Sequence, residues 1–112
     1  MPADRILGPK GQPQPGLGRL VVTRDSGSVG GLCFIQLTLN GKPAARFDAA
    51  ETAEFFVPAG DVLLKVGSDA AGSALCSGGF SVQRESTIRS GETKSFRIFR
   101  TLDTVDIQRA ND

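Results

Sequence analysis

Residues 37–48 read LTLNGKPAARFD. Asn40-Gly41 separates two short runs, each alternating apolar with polar positions. A two-residue connection of the type I′ kind needs positive φ at both central positions, and Asn followed by Gly tolerates that best. The chain therefore doubles back at Asn40 and Gly41 as a β-hairpin. The run before the turn, 31–39 (GLCFIQLTL), puts Cys33, Ile35, Leu37 and Leu39 on one face and Leu32, Phe34, Gln36 and Thr38 on the other. The odd face reads as core. In the run after the turn, 42–48 (KPAARFD), Ala45 and Phe47 face alike, and Pro43, which has no N–H to donate, belongs at a strand start or an edge. A register slip of one residue would turn Ile35 and Leu37 into water, so the turn sets the register of the pair.

The same punctuation continues on both sides. Residues 48–54 (DAAETAE) favour helix but are too short to hold one alone, so they read as a turn into a strand at 53–57 (AEFFV). Pro58-Ala59-Gly60 turns the chain into 61–67 (DVLLKVG), with Val62, Leu64 and Val66 on one face. Residues 67–79 are small and polar and read as a long loop. Strands follow at 80–89, 93–100 and 104–109, with Gly91 turning the chain between the first two. Upstream, RLVVTR at 19–24 is a β-branched strand, closed by SGSVGG. Residues 8–18 (GPKGQPQPGLG) read as a tether. The organisation expected is a flexible Pro/Gly-rich arm over 1–18 and one β-domain over 19–109. Strands spaced by about ten residues, with no helix of normal length, point to a small antiparallel β-sandwich of about seven or eight short strands.

Composition sets the limits on chemistry. The 112 residues suffice for one domain with a real core, and 14 Gly and 6 Pro favour turns over helices. The net charge of +1, from 13 basic and 12 acidic side chains, creates no strong field for nucleic acid or anionic lipid. The chain has no histidine, which removes the usual Ser-His-Asp and Cys-His nucleophilic centres and the commonest metal ligand. No stretch approaches the roughly 20 apolar residues of a membrane-spanning helix, and MPADRILGPKG at the N-terminus lacks an apolar signal core.

The order of motifs resembles a known kind of domain. A strand leads to LTLNGKPAARFD, then AEFFVPAGDVLLKV, and later IRSGETKSFRI. This pattern resembles small bacterial envelope domains of the PEGA-like kind and a related family of uncharacterised lipoproteins. The resemblance covers about residues 19–100, and its motifs are short turns. The chain departs from the pattern in carrying Phe96 where Tyr is frequent and in having two cysteines. The resemblance implies a compact β-sandwich at the periplasmic or outer-membrane surface and transfers no catalytic residue.

Cys33 lies on the expected core face of a strand, and Cys76 lies in the Gly/Ser/Ala-rich loop. One reading is a disulfide pinning that loop to the sheet, worth roughly 3–4 kcal/mol in the chain-entropy model. The others are two buried free thiols or a redox pair, against which the lack of CxxC spacing argues. A disulfide would imply an oxidising compartment, in agreement with the envelope reading. Asp48, Glu51 and Glu54 form a small acidic cluster without the loop spacing that calcium needs or the cleft that carboxylate-pair hydrolysis needs. KSFRIFR at 94–100 mixes cations and aromatics as single-strand nucleic-acid binders do. Strand alternation, however, sets Lys94, Phe96, Ile98 and Arg100 on one face and Arg97 and Phe99 on the other. That is the pattern of a half-buried strand, and no nucleic-acid partner is expected. With Arg84 and Arg89, the residues Lys94, Arg97 and Arg100 remain a candidate basic patch for an acidic partner or a phosphate-bearing surface. The glycine-rich stretches 27–31 and 91–95 precede no helix and read as turns.

These readings lead to a non-catalytic interaction module of the cell envelope with no cofactor and no metal, periplasmic or anchored at the membrane through an N-terminal segment removed from this form of the chain. Its partner would be an envelope protein or surface. The alternative is a small-ligand or carbohydrate-binding β-sandwich using Phe34 or Phe99. The lack of Trp and Tyr counts against sugar platforms.

Overall fold

A computed structural model describes residues 6–8, 12–25, 34–68, 81–100 and 105–110. Cys33 and Cys76 lie outside the described residues, and with them every reading of the thiols. Eight strands are described: β1 (Leu17–Arg24), β2 (Ile35–Leu39), β3 (Lys42–Phe47), β4 (Thr52–Pro58), β5 (Gly60–Ser68), β6 (Ser81–Ile88), β7 (Thr93–Arg100) and β8 (Val105–Arg109). They form two four-stranded sheets, ordered β4-β1-β7-β8 and β3-β2-β5-β6, packed face to face as a β-sandwich.

Alternation assigns the faces. In the second sheet Ile35, Leu37 and Leu39 of β2, Phe47 of β3, and Val62, Leu64 and Val66 of β5 are buried on one side. In the first sheet Leu20 and Val22 of β1 meet Phe55 and Ala53 of β4, with Phe96 and Ile98 of β7 and Ile107 of β8 beside them. These side chains make one continuous core between the sheets.

Three features depart from the simple expectation. First, β1 and β7 pair in parallel, with Val22 beside Phe96, while the other pairings are antiparallel. Parallel neighbours need a long crossover, supplied here by all the chain between them. Second, β3 carries a β-bulge. Its register against β2 shifts between Leu37 and Thr38, so that Ala44 and Ala45 are both buried. An extra residue in one strand breaks the period of two locally and bends the strand. Third, β1 begins at Leu17, two residues before the expected boundary, and residues 6–8 do not stand apart as a tether. Ile6 bridges Ala45 in antiparallel fashion and packs against the core.

The hairpin turn takes the conformation its residues allow: φ is 50° at Asn40 and 81° at Gly41. Asn40 also docks the hairpin onto β5. Its N–H donates to the Leu63 carbonyl, and its Oδ1 accepts the Leu63 N–H, each at 2.9 Å. One residue thus closes the turn and extends the β2–β5 ladder by a step.

Candidate functional site

The polar side chains singled out in the sequence are mostly engaged in holding the sandwich together. Arg84 projects from the inner face of edge strand β6, opposite Leu64. It makes a bidentate pair with Asp106 of β8, at 3.0 Å from Nε to Oδ1 and 2.7 Å from the second nitrogen to Oδ2. The Ile107 N–H donates to the same carboxylate at 2.8 Å. These donors, the Arg84 bond first, hold the Asp106 carboxyl below its ordinary range, and the carboxylate raises Arg84 in return. An inward-pointing charge also guards an edge strand against pairing with other chains.

The other candidate cations are placed separately. Arg97, on the outer face of the first sheet, pairs with Asp25 and lies 5.4 Å from the centroid of the Phe99 ring. Hydrogen bonding to Asp25 raises Arg97. Lys94, half-buried on the opposite face, donates to the Thr87 carbonyl. Arg89 sits in the turn between β6 and β7, and Arg100 ends β7. The five residues therefore share no single face.

The acidic cluster is likewise divided. Asp48 and Glu51 shape the turn before β4: the Asp48 N–H donates to Glu51 Oε1 at 2.6 Å, and the Ala49 N–H to Asp48 Oδ1 at 2.8 Å. Glu54 lies on the outer face of β4 and accepts from Arg19 Nε at 2.7 Å. Arg24, only 2% exposed, donates to the Phe47 carbonyl at 2.8 Å and ties the two sheets together. Burial lowers its pKa, against the opposing pull of Asp48. Of the two rings considered for ligand stacking, Phe34 lies under Arg46 at 4.9 Å and Phe99 under Arg97. Each ring is faced by a guanidinium of the chain itself.

Three grooves mark the described surface. One of about 490 Å³ lies beside Asn40, between Asp61, Leu63, Glu85 and Thr87. One of about 540 Å³ runs over Phe56, between Pro13 and Pro15 and the Ser90–Thr93 turn. The third, of about 470 Å³, occupies the corner where the β2–β3 hairpin, the end of β4 and the N-terminal segment meet. Leu7, Leu39, Lys42, Pro43, Val57 and Pro58 line it. Leu7 is 52% exposed, the exposed large hydrophobic residue among those described.

This corner is the candidate site, because an apolar groove there adjoins a main-chain docking edge. The bulge turns the Ala44 carbonyl outward, where it accepts the Leu7 N–H at 2.7 Å and the Gly8 N–H at 3.1 Å. Ile6 and Leu7 were hidden by the polar, Pro/Gly-rich composition of their surroundings. The available signal was that they form the one pair of adjacent branched aliphatic residues before Leu17. Among the described residues no grouping of three or more Cys, Asp or Glu side chains could hold a metal ion.

No family model matches the chain, and no curated protein matches it. A solved structure to which it is similar is the crystal structure of wild-type pneumolysin, with a TM-score of 0.47 and 12% sequence identity over 86% of this chain. The chain spans 24% of the length of that protein.

Proposed function

We propose that the chain is a non-catalytic interaction module of the bacterial cell envelope, working at the periplasmic or outer-membrane surface. The observation that carries this reading is the corner groove, where half-exposed Leu7 and the apolar faces of Leu39 and Val57 adjoin a strand edge. Recognition surfaces of proteins combine an apolar centre with main-chain or polar contacts at its border. Further support comes from the carboxylates of Asp25, Glu54 and Asp106, which are held by arginines instead of facing a cleft. The turn pattern of the sequence supports the envelope part of the reading.

A photo-cross-linking residue introduced in place of Leu7, in cells of the native host, tests the module. A discrete adduct from that position, with none from a control at Lys65 on the outer face of β5, is the expected result. Equal adducts from both positions would overturn the assignment of the surface. The compartment has its own test: alkylation of Cys33 and Cys76 in protein from the native host, with and without reduction, read by mass spectrometry. Thiols that react freely without reductant count against an oxidising compartment.

A further inference from the structure

We propose that the outer edge of β3 at its bulge is a strand-addition site for an extended segment of a partner protein, and that Ile6–Gly8 is a latch occupying this edge in the free chain. The inference rests on reading the chain as an interaction module and names the partner's chemistry. The latch itself displays the binding mode. Ile6 pairs antiparallel to Ala45 and packs on the core, while the next two amides donate to Ala44. Main-chain bonds supply affinity, and a side-chain pocket supplies specificity, as in other strand-addition complexes.

The latch is short. It engages Ala44 and Ala45 of a six-residue strand. A longer segment in the same register gains additional ladder bonds along β3, so it can displace the latch although the latch has the advantage of being tethered. Charge defines the partner further. β3 reads KPAARF, with cations at Lys42 and Arg46 and no carboxylate. A strand continued in the register of Ile6 would set the residue preceding Ile6's position across from Arg46. In this chain that residue is Arg5, a like charge, and directly opposed like charges weaken a strand pair. The partner segment is therefore extended, with a branched aliphatic residue in Ile6's place and a carboxylate immediately before it.

Fluorescence anisotropy with two labelled peptides tests this. One has the sequence of residues 1–11, and the other has the same sequence with Arg5→Glu. The full-length chain and its Ile6→Asp variant, which releases the latch, are titrated with both. The released variant is expected to bind the Arg5→Glu peptide at least about tenfold more tightly than the unaltered chain does. It should prefer that peptide to the Arg5 form by about threefold to tenfold, the range of a reversed cross-strand charge pair. A peptide carrying Leu7→Pro as well, which lacks the N–H that reaches Ala44, should lose binding. If Ile6→Asp does not fold by circular dichroism, Leu7→Pro in the full chain replaces it, because that change leaves Ile6 on the core.

Three results would overturn the proposal. They are a folded released variant that binds no tighter than the unaltered chain, a Leu7→Pro peptide that binds as well as its parent, and a released variant that forms dimers in sedimentation. The last would make a second copy the occupant. A Leu7 cross-link in cells combined with no peptide gain would leave the interaction module standing and remove the latch. Failure of the cross-link with a peptide gain would do the reverse.

Discussion

A β-carbon on Gly18 would lie 2.5 Å from Cγ1 and 2.6 Å from Cδ1 of Ile88, and 2.9 Å from the Arg89 carbonyl oxygen. The backbone of β1 is therefore pressed directly onto the end of β6, and glycine is present because no side chain fits. Gly18→Ala is expected to destabilise the domain by about 1–3 kcal/mol, the usual cost of overpacking. Urea unfolding measures it as a lowered midpoint. Adding Ile88→Val should recover part of the loss, since it removes one crowding methyl but leaves the Arg89 carbonyl in place. Strict additivity of the two changes would refute the contact.

The turn at Asn40-Gly41 gives a second outcome. Gly41 has φ of 81° with open space around it, so a side chain there meets backbone strain and no neighbour. Gly41→Val should cost about 1–2 kcal/mol from the left-handed conformation alone. Asn40→Ala should cost a similar ~1–2 kcal/mol by removing the acceptor of the Leu63 N–H. Denaturant stability unchanged in both variants would mean that the hairpin does not fix the register.

Acid provides the third. Asp106 is held low by Arg84, so its contribution to stability is full above the ordinary carboxylate value near pH 4 and is lost as pH falls through its lower folded value. Asp106→Asn abolishes this component. The difference in unfolding free energy between the unaltered chain and the variant should shrink steadily from about pH 4 downward. A difference independent of pH across that window would show that the pair contributes nothing to acid sensitivity.

Core truncation provides the fourth. Phe55 is fully buried between the sheets. Phe55→Ala should cost about 3–5 kcal/mol, a large part of the ~5–15 kcal/mol available to a domain of this kind. A thermal scan is expected to show a much lower or vanished transition. A shift of only a few degrees would place Phe55 outside the cooperative core.

Local pattern made the strands legible, and long-range pairing hid the rest. The hairpin, the buried faces of β2 and β5, and the Asp48–Glu51 turn all follow from neighbouring residues through alternation and turn chemistry. β7 appears at the expected 93–100 for the same reason. The parallel union of β1 with β7 follows from no local signal, because the two strands are separated by most of the chain. The bulge at Ala44 escaped because two adjacent alanines satisfy either face of a strand. Arg84 and Asp106 stand 22 residues apart. Each looks like an ordinary surface charge until the two sheets are superposed. Ile6 and Leu7, the residues nearest to a binding role, sit in a segment whose composition resembles a linker.

The order of strands in the two sheets has a kinetic consequence. The sheet containing the hairpin joins β2 to β3 and β5 to β6, each pair consecutive in the chain, so it can assemble step by step during synthesis. The other sheet is organised around β1, whose neighbours β4 and β7 arrive only later in the sequence. Non-local pairing of this kind is slow, because loop-closure entropy is lost before the contacts form. Pulsed hydrogen exchange during refolding should therefore find amides of β2, β3 and β5 protected before those of β1. A nascent chain would emerge with its first strand unpaired and wait for its seventh.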